Sequence, residues 1–239
     1  MILEGKRPDA NAADLMIIKT DTDEEAAAKL SKLVEELGDS DWICITPTRN
    51  ESLPLGTVRL NKMIQKLLTG DEELSISRGK DSHFSIGDRV MQTRNNYSLE
   101  WLDPVTGEID RWVFNGEIGV VRDADPIAGT LVVEFDDGKL VTYNRKTMED
   151  VELAYAVTAH KAQGCEFDNC IIVLGQMSPL LYQRRLLYTA VTRGKKKVII
   201  IDSNDCMQHF LNSRNKGRRD TSLGDLLRLT DIKRGKTRD

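Results

Sequence analysis

Residues 151–174 read VELAYAVTAHKAQGCEFDNCIIVL. Two apolar runs, Val151 to Val157 and Cys170 to Leu174, are strand-sized, and a polar turn with His160, Gln163 and Gly164 follows the first. Downstream, a helix is expected from about Ser178 through Arg193, then VIIID (Val198 to Asp202) as a further buried strand, then a short helix near Asp205 to Leu211. Strands alternating with helices predict a parallel sheet with helices on its faces.

The beginning of the chain has the same rhythm. LMIIK (Leu15 to Lys19) and WICIT (Trp42 to Thr46) read as buried strands. Thr22, three residues before Glu25, opens a helix that stops at Gly38, and Leu30, Leu33, Val34 and Leu37 mark its inward face. A second helix runs from about Thr57 to Leu68 and ends at Gly70. Between about Phe84 and Tyr143 the pattern changes to short runs, RVMQT, IGVV, TLVVEF and KLVTY, punctuated by glycines. Asp137-Gly138 between two of them is a hairpin signal. Four or five such strands make a small antiparallel barrel that interrupts the α/β domain. The expected division is 1–82 and 149–215 for the two parts of the α/β domain, 83–148 for the barrel and 216–239 for a basic tail.

Composition narrows the classes. At 239 residues, with 40% apolar and 30% charged residues, the chain is globular and makes one large domain or two small ones. No run approaches the roughly 18 apolar residues of a membrane span, and MILEGKRPDANAAD has no signal-peptide core. Net charge is −4, yet from Arg184 onward 15 Lys/Arg face 6 Asp/Glu, a local +9 that attracts phosphates. Cys44, Cys165, Cys170 and Cys206 form no CxxC, so no metal site is expected and a reducing cytoplasm fits.

Two stretches concentrate chemistry. Thr158, His160, Lys161, Gln163, Gly164 and Glu166 crowd one turn after a buried strand, where open α/β sheets bind ligands beyond strand carboxyl ends. Hydroxyl, imidazole and ammonium groups there can bind phosphate oxygens, Gly164 lets backbone amides approach an anion, and Glu166 suits a ribose hydroxyl. In the second stretch, RRLLYTAVTRGKKKVIII, Arg193 ends the expected helix with Gly194 as its C-cap. An Arg so fixed can stabilise a transferring γ-phosphoryl group, or it can simply complement the helix dipole with Lys195 to Lys197.

Together the two stretches resemble motifs V and VI of superfamily 1 helicases, in the form of the RecD-like, 5′-to-3′ branch (exodeoxyribonuclease V alpha-subunit-like). VTAHKAQGCEFD resembles motif V and LLYTAVTRGKK motif VI, while ITPTRNESLPLGTVRLNKMIQKLL resembles motif IV and its following helix. FSIGDRVMQTRNNY with VFNGEIGVV resembles the start of the SH3-like barrel of that branch, and GKRP with DLMIIKTDTDEEAAAKL resembles the lead-in to its second motor domain. Cys165 stands where Ser is commoner, Gly194 where Ala is usual, and Asn50 to Pro54 is slightly longer than the usual loop.

The resemblance implies a RecA-like α/β domain, 2A, with an inserted SH3-like barrel, 2B. It implies Arg193 as an arginine finger, with Gln163, Gly164, Glu166 and Arg49 as ATP contacts. Thr158, His160, Asn95 and Asn96 would track single-stranded DNA, and Tyr97 and Trp101 could stack on bases. No GxxxxGK[ST] occurs among the 17 glycines and no Asp-Glu follows an apolar strand. The resemblance therefore covers a helicase's second half, with ATP and Mg²⁺ held mainly by a preceding RecA-like motor domain; recombination or repair subunits are further possible partners. Two other classes compete: a non-catalytic nucleic-acid-binding module, and an SH3-like peptide-interaction domain.

Overall fold

The computed structural model of the chain describes residues 1–9, 13–69, 75–78 and 82–213. The basic tail (216–239), Gly70 and the acidic run 71–73 lie outside the described residues. The chain opens with β1 (Leu15–Thr20), α1 (Asp23–Leu37), β2 (Trp42–Thr46) and α2 (Thr57–Leu68). Thr22 caps α1 as its spacing predicts, its hydroxyl accepting the Glu25 N–H at 3.1 Å. The Glu25 carboxylate reaches back to the Asp21 N–H at 3.0 Å, one residue before the cap. Leu30 and Val34 are fully buried, and Leu33 and Leu37 pack at the margin of the same core.

The antiparallel part follows: β3 (Ser75–Arg78), β4 (Ser82–Ser85), β5 (Arg89–Gln92), β6 (Asn96–Leu102), β7 (Ile109–Val113), β8 (Ile118–Asp125), β9 (Thr130–Phe135), β10 (Leu140–Asn144) and β11 (Val151–Leu153). β3 and β4 form a hairpin, and the other seven strands form one sheet in the order β11-β5-β8-β9-β10-β6-β7. Val151 near one edge and Val113 near the other share a core with Val90, Leu131, Val133 and Tyr143, so this sheet curves around its own interior. Asp137-Gly138 turns β9 into β10 as expected, with Gly138 at φ +88° and the Phe135 N–H on the Lys139 carbonyl at 3.0 Å. Six strands of this sheet, β5 to β10, stand where four or five were expected, and β11 joins them from beyond the expected barrel. The unexpected β6 and β7 expose most of their side chains and so carry no clean alternation.

The α/β part then resumes with β12 (Ala156–Thr158), β13 (Phe167–Leu174), α3 (Arg184–Val191), β14 (Gly194–Ser203) and α4 (Cys206–Asn212). Five strands form a wholly parallel sheet, β1-β14-β13-β2-β12. Two expectations are corrected. VELAYAV is two strands in two sheets: Val151 to Leu153 pairs with β5, and Ala156 to Thr158 pairs with β2. The helix expected over 178–193 is confined to Arg184–Val191, with a single 3₁₀ turn at Pro179–Leu181 before it.

The seam between the sheets is polar and buried. Asp88 accepts hydrogen bonds from the Ser85 N–H (2.7 Å), Gln65 of α2 (2.5 Å) and the Tyr155 hydroxyl (2.9 Å). Arg89 donates to the Trp42 carbonyl and lies 5.2 Å from the Trp42 ring. One carboxylate and one guanidinium thus join α2, β2, β5 and the β11–β12 linker.

Candidate functional site

β12 is three residues long and ends at Thr158. Its Oγ1 accepts the Lys161 N–H at 3.4 Å, and the Ala162 N–H bonds the Thr158 carbonyl at 3.0 Å, so the chain leaves the sheet in one helical turn. Gly164 then adopts φ +95°, a conformation that an L side chain would strain. The Phe167 N–H closes the loop on the Arg193 carbonyl at 2.9 Å. The expectation that this loop lies beyond strand carboxyl ends holds for its first half only. Because β13 runs parallel to β12 and so starts at the opposite end of the strands, Cys165 and Glu166 are carried to the amino ends of β13 and β14, beside Arg193.

Arg193 sits past the end of α3, whose C-cap is Thr192. Gly194 is the first residue of β14 and not a helix cap, and a Cβ there would press on Val198 and Cys170. The guanidinium donates to the carbonyl of Cys165 (3.0 Å), to the carbonyl of Thr189 (3.3 Å) and to the hydroxyl of Thr192 (3.2 Å). Five N–H donors less three leaves two. Arg193 is thereby tied by a hydrogen bond to the loop that carries Gln163, Gly164 and Glu166.

Around this joint the polar groups are open. His160, Gln163 and Glu166 are exposed, and their side chains hydrogen-bond to nothing among the described residues. His160 and Gln163 line a cleft of about 310 Å³ with Gln183, Arg185 and Thr189. On the other side, Gln163, Gly164 and Cys165 face the 115–118 turn of the curved sheet across a second cleft of about 350 Å³. Burial pushes the thiols of Cys44, Cys165 and Cys170 upward, so none is a thiolate nucleophile near neutrality.

The remaining candidates are placed differently. Arg49 is held by Glu152 of β11 at 2.7 Å, and Glu152 also holds Lys161 at 2.8 Å. Asn95 accepts the Asn115 N–H at 2.9 Å and so braces the turn that faces Gly164. Asn96 spends its carbonyl oxygen on the Ser98 and Leu99 N–H groups, both at 3.1 Å, a local turn-forming role. Tyr97 is exposed and in edge contact with Phe114, whereas Trp101 is half-buried against the core and donates to the Arg111 carbonyl. Sequence reasoning placed Asn61 in the motif IV resemblance without giving it a role; its buried amide makes two 2.8 Å hydrogen bonds with the N–H and carbonyl of Ala156. It docks α2 onto the free edge of β12, and a partner 95 residues away leaves no local signal.

Comparison with known proteins finds two family matches. Residues 60–135 match the family described as the ATP-dependent RecD-like DNA helicase SH3 domain, and residues 153–201 match the UvrD-like helicase C-terminal domain. The ATP-dependent RecD2 DNA helicase of Deinococcus radiodurans is 30% identical over 229 residues, 95% of this chain and 29% of that protein. The chain is RecD-like. The RecD subunit of the RecBCD enzyme of Mycobacterium tuberculosis is 31% identical over 150 residues, 63% of the RecD-like chain and 23% of that subunit. The chain thus spans less than a third of the length of these relatives. A Bacteroides Pif1 structure bound to single-stranded DNA is 19% identical, with a TM-score of 0.44, covering 86% of this chain and 50% of that one.

Proposed function

We propose that this chain is the C-terminal motor half of an ATP-dependent, 5′-to-3′ DNA helicase of the cytoplasm, comprising domain 2A with its 2B insertion. The observation that carries the reading is the hydrogen bond from Arg193 to the Cys165 carbonyl, which makes one unit of the two helicase-like motifs. Arg193 would present its two free N–H groups to the γ-phosphate of a bound ATP, as an arginine finger does. Glu166, with an unengaged carboxylate, would accept from the ribose hydroxyls, and Gln163 with Gly164 would lie between nucleotide and DNA. Arg49 would contact a nucleotide phosphate, and Thr158, His160, Asn95 and Asn96 would follow the backbone of single-stranded DNA without reading its bases.

ATP fits this donor set only in part. Two arginine N–H groups, an amide and a carboxylate can hold the outer faces of a nucleotide, but they do not make a phosphate cradle with the hydroxyl ligand that holds Mg²⁺ beside it. Those tasks need a phosphate loop, which the 17 glycines do not form. When bound, ATP would supply the free energy of phosphoryl transfer, and a preceding motor domain would hold most of it. The purified 239-residue chain is accordingly expected to show no ATP hydrolysis, with or without single-stranded DNA, because an Arg without a positioned phosphate accelerates nothing. A DNA-stimulated ATPase rate from the chain alone would overturn the half-motor reading.

A further inference from the structure

Glu152 lies outside both helicase-like motifs, yet it is the hub of a three-element contact. One carboxylate oxygen takes Arg49, from the loop after β2, at 2.7 Å, and the other takes Lys161, from the turn after β12, at 2.8 Å. Glu152 itself belongs to β11, in the other sheet. Its side chain is 21% exposed, against 61% for Arg49 and 30% for Lys161. The carboxylate is thus the inner partner and the cations lie over it.

A carboxylate bridging two cations is the geometry in which a phosphate would be held, with one oxygen to each donor. The crevice adds neutral hydroxyl groups, since Thr57 and Thr158 line it with Arg49 and Lys161. Only about 20 Å³ of it is open beside Glu152, and a wider mouth of about 150 Å³ continues outward past Arg49 and Lys62. With Glu152 in place the clamp carries a net charge of +1; without it the charge is +2. Arg49 is an exposed cation, so its arm of the bridge gains little as a structural strut.

We propose that Arg49 and Lys161 form a phosphate-binding subsite that Glu152 holds closed with its own carboxylate. The ligand is a phosphate group of a nucleotide or of a nucleic-acid backbone, and in that choice alone the inference rests on the helicase reading. A rotamer change at Glu152 frees both cations without moving the backbone. The subsite therefore opens when an incoming phosphate outcompetes one side chain.

The test measures binding of two probes, a fluorescent oligothymidylate and a fluorescent ATP analogue, to the 239-residue chain at low salt. Glu152→Gln keeps the shape and removes the charge, and is expected to tighten binding of one probe roughly threefold to tenfold, a gain that shrinks as salt rises. Adding Arg49→Gln to that variant should abolish the gain. Tightening of the oligothymidylate assigns the subsite to backbone phosphate, and tightening of the ATP analogue alone assigns it to nucleotide. Unchanged or weaker binding of both probes by a Glu152→Gln protein with a normal melting curve overturns the proposal. If Glu152→Gln does not fold, Arg49→Gln and Lys161→Gln serve instead, and binding indifferent to both overturns it equally. A parallel His160→Ala arm reads the motor assignment by itself: oligothymidylate binding that ignores His160 counts against that assignment, whatever Glu152→Gln does.

Discussion

Two polar clusters of similar composition flank the parallel sheet. At the carboxyl ends of β1 and β14, the fully buried Asp202 accepts from Arg7 at 3.2 Å and from the Met207 N–H at 2.8 Å. Beside it, Lys19 pairs with Asp205 at 3.0 Å and Ser203 donates to Asp23 at 2.6 Å. Every charge there has a partner, and the result is mechanical: the N-terminal segment and α4 are fastened to the sheet. The loop after β12 uses the same kinds of side chain and leaves His160, Gln163 and Glu166 without a hydrogen-bond partner among the described residues. Residue type does not separate a fastening from a site. What separates them is whether the protein itself completes the hydrogen bonds, because native structures complete nearly all they bury and leave open those that solvent or a ligand will fill.

Arginine substitutions on the two sides give the largest expected contrast. Arg193→Lys, in the intact protein that carries this chain, should lower kcat with single-stranded DNA by roughly 10³-fold, since Lys lacks the planar fork at the transition state. Its cost to the melting curve should be about 1 kcal/mol or less. Arg7→Lys should do the reverse, leaving kcat within about twofold while costing on the order of 1 kcal/mol of stability. A kcat loss of tenfold or less for Arg193→Lys would reject the finger, and a melting temperature lowered as for Arg7→Lys would make Arg193 a fastening too.

Next in size is Asn61, which is a fastening placed under the site. Asn61→Ala strips two hydrogen bonds from a buried strand edge and leaves the Ala156 N–H and carbonyl unpaired, a loss of about 2–4 kcal/mol. Urea unfolding should show the shift, and oligothymidylate binding by the folded fraction should weaken, because β12 sets the start of the loop. A loss under about 1 kcal/mol would mean that water replaces the amide at this edge.

How much of this was legible in the sequence follows from the range of each interaction. WICIT, CIIVL and VIIID announced the sheet because strands covered on both faces are continuous apolar runs. Thr22 and Glu25 announced a helix start because capping is local. By contrast β6 and β7 project outward, with Tyr97, Ile109 and Trp112 largely exposed, and without a core face they show no periodicity. VELAYAV looked like one strand because nothing in its composition marks Ala154 and Tyr155 as the passage between sheets. Arg193, Gln163 and Glu166 could be given roles by motif, whereas Glu152 lies in no motif, and Asn61 and Asp88, though within stretches that resemble the family, act through partners distant in sequence that no local pattern shows.

Asp88 gives a smaller effect with a defined sign. Burial raises its carboxyl above the ordinary carboxylate range, and the hydrogen bonds from Ser85, Tyr155 and Gln65 oppose that rise only in part. The folded chain therefore holds a proton that the unfolded chain gives up near pH 4. Over the window from there up to the raised value, unfolding releases that proton, so this group's contribution to stability falls as pH rises and is flat above the window. Asp88→Asn should remove that part of the slope in melting temperature against pH. Tyr155→Phe, which deletes one hydrogen bond to the carboxyl, should cost about 1–2 kcal/mol at pH 7. If the wild type and Asp88→Asn gave parallel pH profiles from pH 4 to 7, the seam would not hold a titrating group.

The smallest effect is the sharpest test of the contrast between fastening and site. The His160 side chain is exposed and has no partner among the described residues, so His160→Ala should change stability by no more than about 0.5 kcal/mol. Its expected consequence lies in binding: roughly a twofold to fivefold loss of affinity for single-stranded DNA, equal for oligothymidylate and for mixed sequence, because a phosphate contact carries no base information. The salt dependence of binding should also flatten, by at most about one counterion. A loss confined to one sequence would make His160 a base reader. A loss of stability with unchanged binding would move it to the fastening side, and the open cluster after β12 would then lack the DNA contact assigned to it.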